Sequence, residues 1–127
     1  MASHTGTHLD APLHKLAGGA SIDAYPLETF TGEQSIVDLT HLGAGHPIGP
    51  DDLAAAGEVS GRILLLDTGW GNKRAKTDEW IHRSPYLSPA GAEWMVEHRV
   101  RAVGIDHFSI GGTGPDNAVT HEILLGN

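Results

Sequence analysis

A chain of 127 residues with 39% apolar content can support one domain around a real hydrophobic core, which excludes wholesale disorder. Eight basic against sixteen acidic residues give a formal charge of -8; this argues against a duplex nucleic-acid partner, because affinity for the phosphate backbone comes mainly from cations. The absence of cysteine excludes a disulfide scaffold, a thiolate zinc finger and a cysteine nucleophile.

Seventeen glycines and seven prolines predict many turns, and no repeat or charge block divides the chain, so a single domain over residues 1–127 is expected. The opening stretch through His14 mixes Thr, Gly, Pro and His without helical periodicity and reads as a strand end or structured loop. Residues 16–25, with Gly18-Gly19, read as an irregular connection. Residues 34–39 (QSIVDL) predict a short strand, to which Ile36 and Val37 lend β-branched character. Residues 50–57 predict a compact helix with Pro50 near its start, Asp51 and Asp52 in its first turn and Gly57 at its exit.

Residues 62–66 (RILLL) predict a strand covered on both faces and ended by Gly69. Ser88 and Pro89 open a further helix, with Ser88 as N-cap and Ala92, Met95 and Val96 facing the core. Residues 102–105 (AVGI) predict a buried strand that delivers Asp106 and His107 at its end. The glycine-rich stretch 111–115 lacks the lysine and spacing of a P-loop and reads as a turn. Asp116 is then placed to cap a last helix over residues 117–125. The alternation of strand and helix predicts an α/β domain with a mixed sheet and flanking helices.

Nine histidines invite a search for metal or acid–base chemistry. His41, His46, His82 and His98 sit among polar or turn residues and are expected to be plain exposed side chains. The informative segment is HTGTHLDAPLH, residues 4–14. His4, His8 and Asp10 offer two imidazoles and a carboxylate at even spacings, and on an extended backbone even spacings project to one face. Such donors suit one divalent cation, Zn²⁺ or Mn²⁺. Gly6 lets the backbone bend so that the donors converge, and Thr5 and Thr7 could fix the imidazole tautomers. His14 follows at a further four-residue step, near the cation, where it can shuttle protons between water and a leaving group. Trp70 and Phe108 are candidates for an aromatic substrate-binding wall or, equally, for core packing.

The stretch HTGTHLDAPLH resembles the signature H-x-G-T-H-x-D-x-P-x-H of the metal-dependent cyclase family, which includes bacterial kynurenine formamidases (arylformamidases of tryptophan catabolism) and isatin hydrolases. Further agreement runs through residues 67–70 (DTGW), 86–94 (YLSPAGAEW), 103–106 (VGID) and 121–125 (HEILL). The resemblance implies a swivelling β/β/α fold and metal-dependent hydrolysis of a small-molecule amide, N-formyl or cyclic. It also implies His4, His8 and Asp10 as metal ligands, Asp10 as a bridge to a second ion, His121 as a ligand of that ion, and His14 as catalytic acid–base. It implies, too, strands ahead of the motif and a later strand with a glutamate ligand, both outside these 127 residues. Within these residues a one-metal site on His4, His8 and Asp10 stands alone, a complete two-metal site would need a ligand from Asp106, His107, Glu122 or a neighbouring subunit, and uncovered sheet edges are expected to drive homo-oligomerisation.

Two rival readings follow from the same residues. A catalytically impaired, metal-binding or oligomeric remnant of the family would keep the cluster without turnover. Leu65-Leu66-Asp67-Thr68-Gly69 also resembles the strand end of retroviral-type aspartic proteases, where two aspartates share a proton. With no membrane-length apolar run and no basic-then-apolar leader, no membrane association and a cytoplasmic location are expected.

Overall fold

The computed structural model describes His4 and residues 6–127. Among these, strands and α-helices follow in the order β1 (Gln34–Asp38), β2 (Pro47–Ile48), α1 (Pro50–Leu53), β3 (Ile63–Asp67), α2 (Asp78–His82), β4 (Tyr86–Leu87), α3 (Pro89–Glu97), β5 (Ala102–Ile105) and α4 (Asp116–Gly126). The α/β class and the flanking helices are as expected. The mixed sheet is not seen: β1, β3 and β5 form one parallel sheet in that order, and β2 pairs with β4 in a separate parallel ribbon. Each connection within the larger sheet passes through a helix, and such crossovers return the chain in the same direction.

The register sorts side chains into two faces. Val37, Leu66 and Ile105 stand abreast on one, and Ile36, Leu65 and Gly104 stand abreast on the other. Leu64 and Leu66 are buried with Leu53 of α1 and with Ala92 and Met95 of α3, forming the core. The opposite face is open, with Ile36 65% exposed. Residues 62–66 were expected to be covered on both faces; the described residues cover one, which leaves Leu65 half-buried.

Local rules explain most element ends. The helix expected over residues 50–57 is α-helical only to Leu53, tightens to a 3-10 turn over Ala54–Ala56 and leaves through Gly57. Asp52 steadies its start by accepting the Gly49 N–H at 2.8 Å. Ser88 caps α3 as expected: its Oγ accepts the Gly91 N–H at 3.1 Å and donates to the Ile48 carbonyl at 2.8 Å. One hydroxyl thus starts the helix and docks it on β2. Ala92 and Met95 are buried and Val96 is half-buried.

Asp116 does not cap α4. The helix starts behind Pro115 without a side-chain cap, and the Asp116 carboxylate accepts the Tyr86 hydroxyl at 3.3 Å. Desolvation and that neighbouring charge raise the Tyr86 pKa, so the phenol stays a donor. Thr120, fully buried, donates its hydroxyl to the Leu87 carbonyl at 3.0 Å and seats the turn of α4 that carries His121. Among its described residues the opening segment forms no strand ahead of β1. It is a succession of 3-10 turns at Pro12–His14, Ile22–Ala24 and Leu27–Phe30, and none of its described residues up to Ile36 is fully buried.

The approach of α3 to β2 is close enough to reverse a helix-propensity rule. A Cβ added at Gly91 would lie 2.5 Å from the Ile48 carbonyl oxygen and 2.7 Å from Leu87 Cδ1. Alanine is intrinsically better than glycine in a helix by about 1 kcal/mol, but overpacking against a backbone carbonyl costs about 1–3 kcal/mol or more. Gly91→Ala is expected to lower the urea midpoint without changing the slope of the transition. A higher midpoint would show that α3 can back away from β2 at no cost.

Candidate metal centre

The opening segment, α4 and the open sheet face border a broad cleft of about 1320 Å³. His8, Asp10 and His121 line one part of it, and Trp80 and Phe108 line another. The five residues expected to carry chemistry, His4, His8, Asp10, His14 and His121, are all brought together. One donor atom each from His4, His8 and Asp10 lie within 4.8 Å of one another, and the same holds for Asp10, His14 and His121.

Asp10 is the shared member, and its two oxygens face different partners. Its Oδ1 lies 3.2 Å from His4 Nδ1 and 3.9 Å from His8 Nε2, while its Oδ2 lies 3.8 Å from His121 Nε2. Two donors each about 2.0–2.2 Å from one tetrahedral ion stand about 3.3–3.6 Å apart, so this set fits small divalent cations. The tautomers agree. His8 Nδ1 lies 2.8 Å from the Gly6 carbonyl, and His121 Nδ1 lies 2.7 Å from the Asn117 carbonyl. A carbonyl only accepts, so both protons sit on Nδ1 and both Nε2 atoms present lone pairs toward a carboxylate. Acceptors facing acceptors is the arrangement of a cation site.

These carbonyls orient His8 and His121; Thr5 lies outside the described residues. Gly6 adopts φ 79°, a left-handed conformation that suits glycine and aims its carbonyl back at His8. His121 is 5% exposed, so it is no solvent-facing helix histidine. His14 is exposed in the Pro12–His14 turn, with its ring 4.4 Å from that of His4 and 5.9 Å from that of His121. Desolvation lowers the His14 pKa, against the opposing pull of the Asp10 charge, which favours the neutral imidazole.

The other expected ligands are engaged elsewhere. The Asp106 carboxylate accepts from the Thr68 N–H at 3.1 Å, the Thr68 hydroxyl at 2.5 Å and the Gly71 N–H at 2.9 Å, tying the end of β5 to the turn after β3. His107 is held by Ser84 Oγ at 3.0 Å and the Trp80 carbonyl at 2.9 Å. Glu122 is exposed on α4 and joins neither donor group. Asp67 closes its own turn by accepting the Gly69 N–H at 3.0 Å. The glycine turn is packed: a Cβ at Gly112 would meet the Tyr86 ring at 3.0 Å. Of the remaining histidines, His41, His82 and His98 are exposed as expected, and His46 is half-buried against Asp52 at 3.1 Å.

Of the two candidate aromatics, Phe108 is 40% exposed and lines the cleft. Trp70 is 2% exposed and lies behind it. The Trp70 indole donates to the Trp80 carbonyl at 3.0 Å, and the Trp80 indole donates to the Trp70 carbonyl at 3.1 Å. Trp80 is the cleft residue that the sequence reading missed, and no local pattern marks it. Its place is fixed by these long-range bonds.

A parallel α/β scaffold carries, at the border of an open cleft, a His/Asp cluster whose donor atoms could hold a cation. The chain belongs to the Cyclase family, whose model matches residues 1–111. It is 30% identical over 125 residues to a kynurenine formamidase of Bordetella petrii, covering 98% of this chain and 57% of that protein. A solved structure described as a potential metal-dependent hydrolase with cyclase activity matches with TM-score 0.86 at 32% identity, covering 99% of this chain and 59% of the other. Isatin hydrolase A from Ralstonia solanacearum shares the fold, with TM-score 0.78 at 21% identity over 97% of this chain and 56% of that one. The chain thus spans 57% of the length of the curated relative it matches. Membership of this family displaces the aspartic-protease reading of Asp67.

His107 makes the fold's stability depend on pH. Burial lowers its pKa, against weaker upward pulls from the Trp80 and Ser109 backbones and the Asp106 charge. Because the folded state prefers the neutral ring, this contribution is complete above the ordinary histidine value of about 6.5 and is lost as pH falls through the lower folded value. The melting-temperature difference between wild type and His107→Gln, measured with chelator, should narrow from pH 7 to pH 5. A constant difference would show that His107 titrates alike folded and unfolded.

Proposed function

We propose that this chain carries the catalytic centre of a metal-dependent hydrolase acting on a small-molecule amide, of the N-formyl or cyclic amide class. The division of the Asp10 carboxylate between His4 and His8 on one oxygen and His121 on the other carries this reading. The kynurenine formamidase relative and the neighbour described as a potential metal-dependent hydrolase support it. His4, His8 and Asp10 would hold one ion, Zn²⁺ or Mn²⁺, and Asp10 with His121 would serve a second. When bound, such an ion supplies Lewis acidity and makes water nucleophilic near neutral pH.

The chain's own residues do the rest. His14, kept neutral by desolvation, takes a proton from the attacking water at a ring nitrogen and returns it to the leaving nitrogen. Phe108 and Trp80 shield the apolar part of the substrate from water, and Trp70 supports Trp80 from behind. The open sheet face, with Ile36 65% exposed beside Leu65 and Leu27 73% exposed in the opening segment, supports a homo-oligomer. Sedimentation equilibrium at micromolar concentration should show association; a stable monomer would remove that part of the proposal.

Two substitutions separate binding from catalysis. Asp10→Ala should lose zinc and manganese affinity by about a hundredfold or more in calorimetric titration, since one carboxylate serves both donor groups. His14→Ala should keep the ion on His4, His8 and Asp10 while kcat for formanilide falls about 10²–10⁴-fold. Unchanged metal affinity in Asp10→Ala would sink the ligand assignment. Full metal loading of wild type with no hydrolysis of formyl or cyclic amides would favour the binding-only remnant, a reading that has one observation behind it: Asp10 is the single carboxylate in either donor group among the described residues.

A further inference from the structure

The wall of the cleft that the His/Asp cluster borders contains a buried histidine that the mechanism does not use. His107 is 9% exposed and touches two aromatic rings, Trp80 at 4.8 Å between centroids and Phe108 at 4.3 Å, while Trp80 and Phe108 lie 5.7 Å apart. The three rings form a closed triangle whose exposed tip is Phe108. The imidazole is fixed from both sides. Its Nε2 faces the Trp80 carbonyl at 2.9 Å, and because a carbonyl only accepts, the proton sits there. Nδ1 is left to accept the Ser84 hydroxyl at 3.0 Å, and Ser84 is itself buried.

Turning the His107 ring would break both bonds at once, the one to Ser84 buried and the one to Trp80 part-buried. The neighbours are equally tied. Trp80 is locked to Trp70 by the reciprocal indole–carbonyl pair, and Asp106, next to His107, is bonded to Thr68 and Gly71. The aromatic patch is therefore a preorganised surface and not a set of loose side chains. Flat rings that are held in place favour flat partners by offset or edge stacking, worth about 0.5–1.5 kcal/mol per pair beyond buried area. An alkyl group gains only the area.

We infer that His107 is a positioning residue, holding Trp80 and Phe108 as a wall for a flat aromatic group next to the scissile amide, an assignment that rests on the amide-hydrolase reading above. The test uses the zinc-loaded full chain with two probes, formanilide and N-ethylformamide, and follows the indole N–H signals of the three tryptophans in ¹⁵N-labelled protein. Formanilide should shift the Trp80 signal. His107→Leu should weaken formanilide binding about tenfold and leave N-ethylformamide binding and zinc affinity unchanged. His107→Gln, which keeps an N–H for the Trp80 carbonyl, should restore most of the loss.

If His107→Leu does not fold, as lost zinc binding would reveal, Ser84→Ala carries the test. It removes only the bond to Nδ1 and should weaken formanilide about threefold, selectively. The inference is overturned if formanilide leaves the Trp80 signal unmoved. It is equally overturned if the folded variants bind formanilide as wild type does, or if both probes weaken alike. Selective formanilide binding without hydrolysis would support the wall and count against the hydrolase reading alone.

Discussion

The carboxylate of Asp10 is the constraint on which the candidate site depends. Its oxygens are approached by imidazoles from two directions, His4 and His8 from its own segment and His121 from the last helix. The group of Asp10, His14 and His121 converges only with both elements in place. On one side the Gly6 carbonyl turns His8; on the other the Asn117 carbonyl turns His121, and buried Thr120 fixes the height of that helical turn against Leu87. The ribbon strand β4 meets α4 through the Thr120–Leu87 bond. Its contribution is to hold the helix still.

The other aspartates near strand and turn ends show why Asp10 stands apart. Asp38 accepts from Thr40, Asp52 from Gly49, Asp67 from Gly69, and Asp106 from Thr68 and Gly71. Each is bonded to backbone or hydroxyl donors that shape a turn or join two segments, and Asp52 also meets one imidazole, His46, at 3.1 Å. The partners of Asp10 are imidazole nitrogens, two of which present lone pairs. Asp10 is thus set apart by the number of imidazoles it faces, three against the single one beside Asp52.

Much of this was legible in the residue order. The His/Asp spacing in residues 4–14 brought out the cluster because its members lie close in sequence and need only a bent loop to meet. Ser88 announced its helix because capping is local, and the apolar runs of β3 and β5 announced their strands for the same reason. What escaped notice was long-range. Nothing near Trp80 signals that its indole pairs with Trp70, and nothing near His107 signals Ser84. Asp116 looked like a cap and instead serves Tyr86, thirty residues earlier in the chain. The open face of β3 was hidden too, since RILLL has the same composition whether one side is covered or both.

The opening segment has no fully buried residue among those described, so the hydrophobic effect holds it only weakly. One of its contacts with the rest of the molecule runs from Asp10 to His121 at 3.8 Å, across almost the whole length of the chain. A cation held there would act as a cross-link, closing a very long loop much as a disulfide does, in a protein that has no cysteine. Binding energy at the centre would then also be the energy that orders its walls. Metal supply would decide how much of the N-terminal third is folded, and the cleft would take its shape only as the ion arrives.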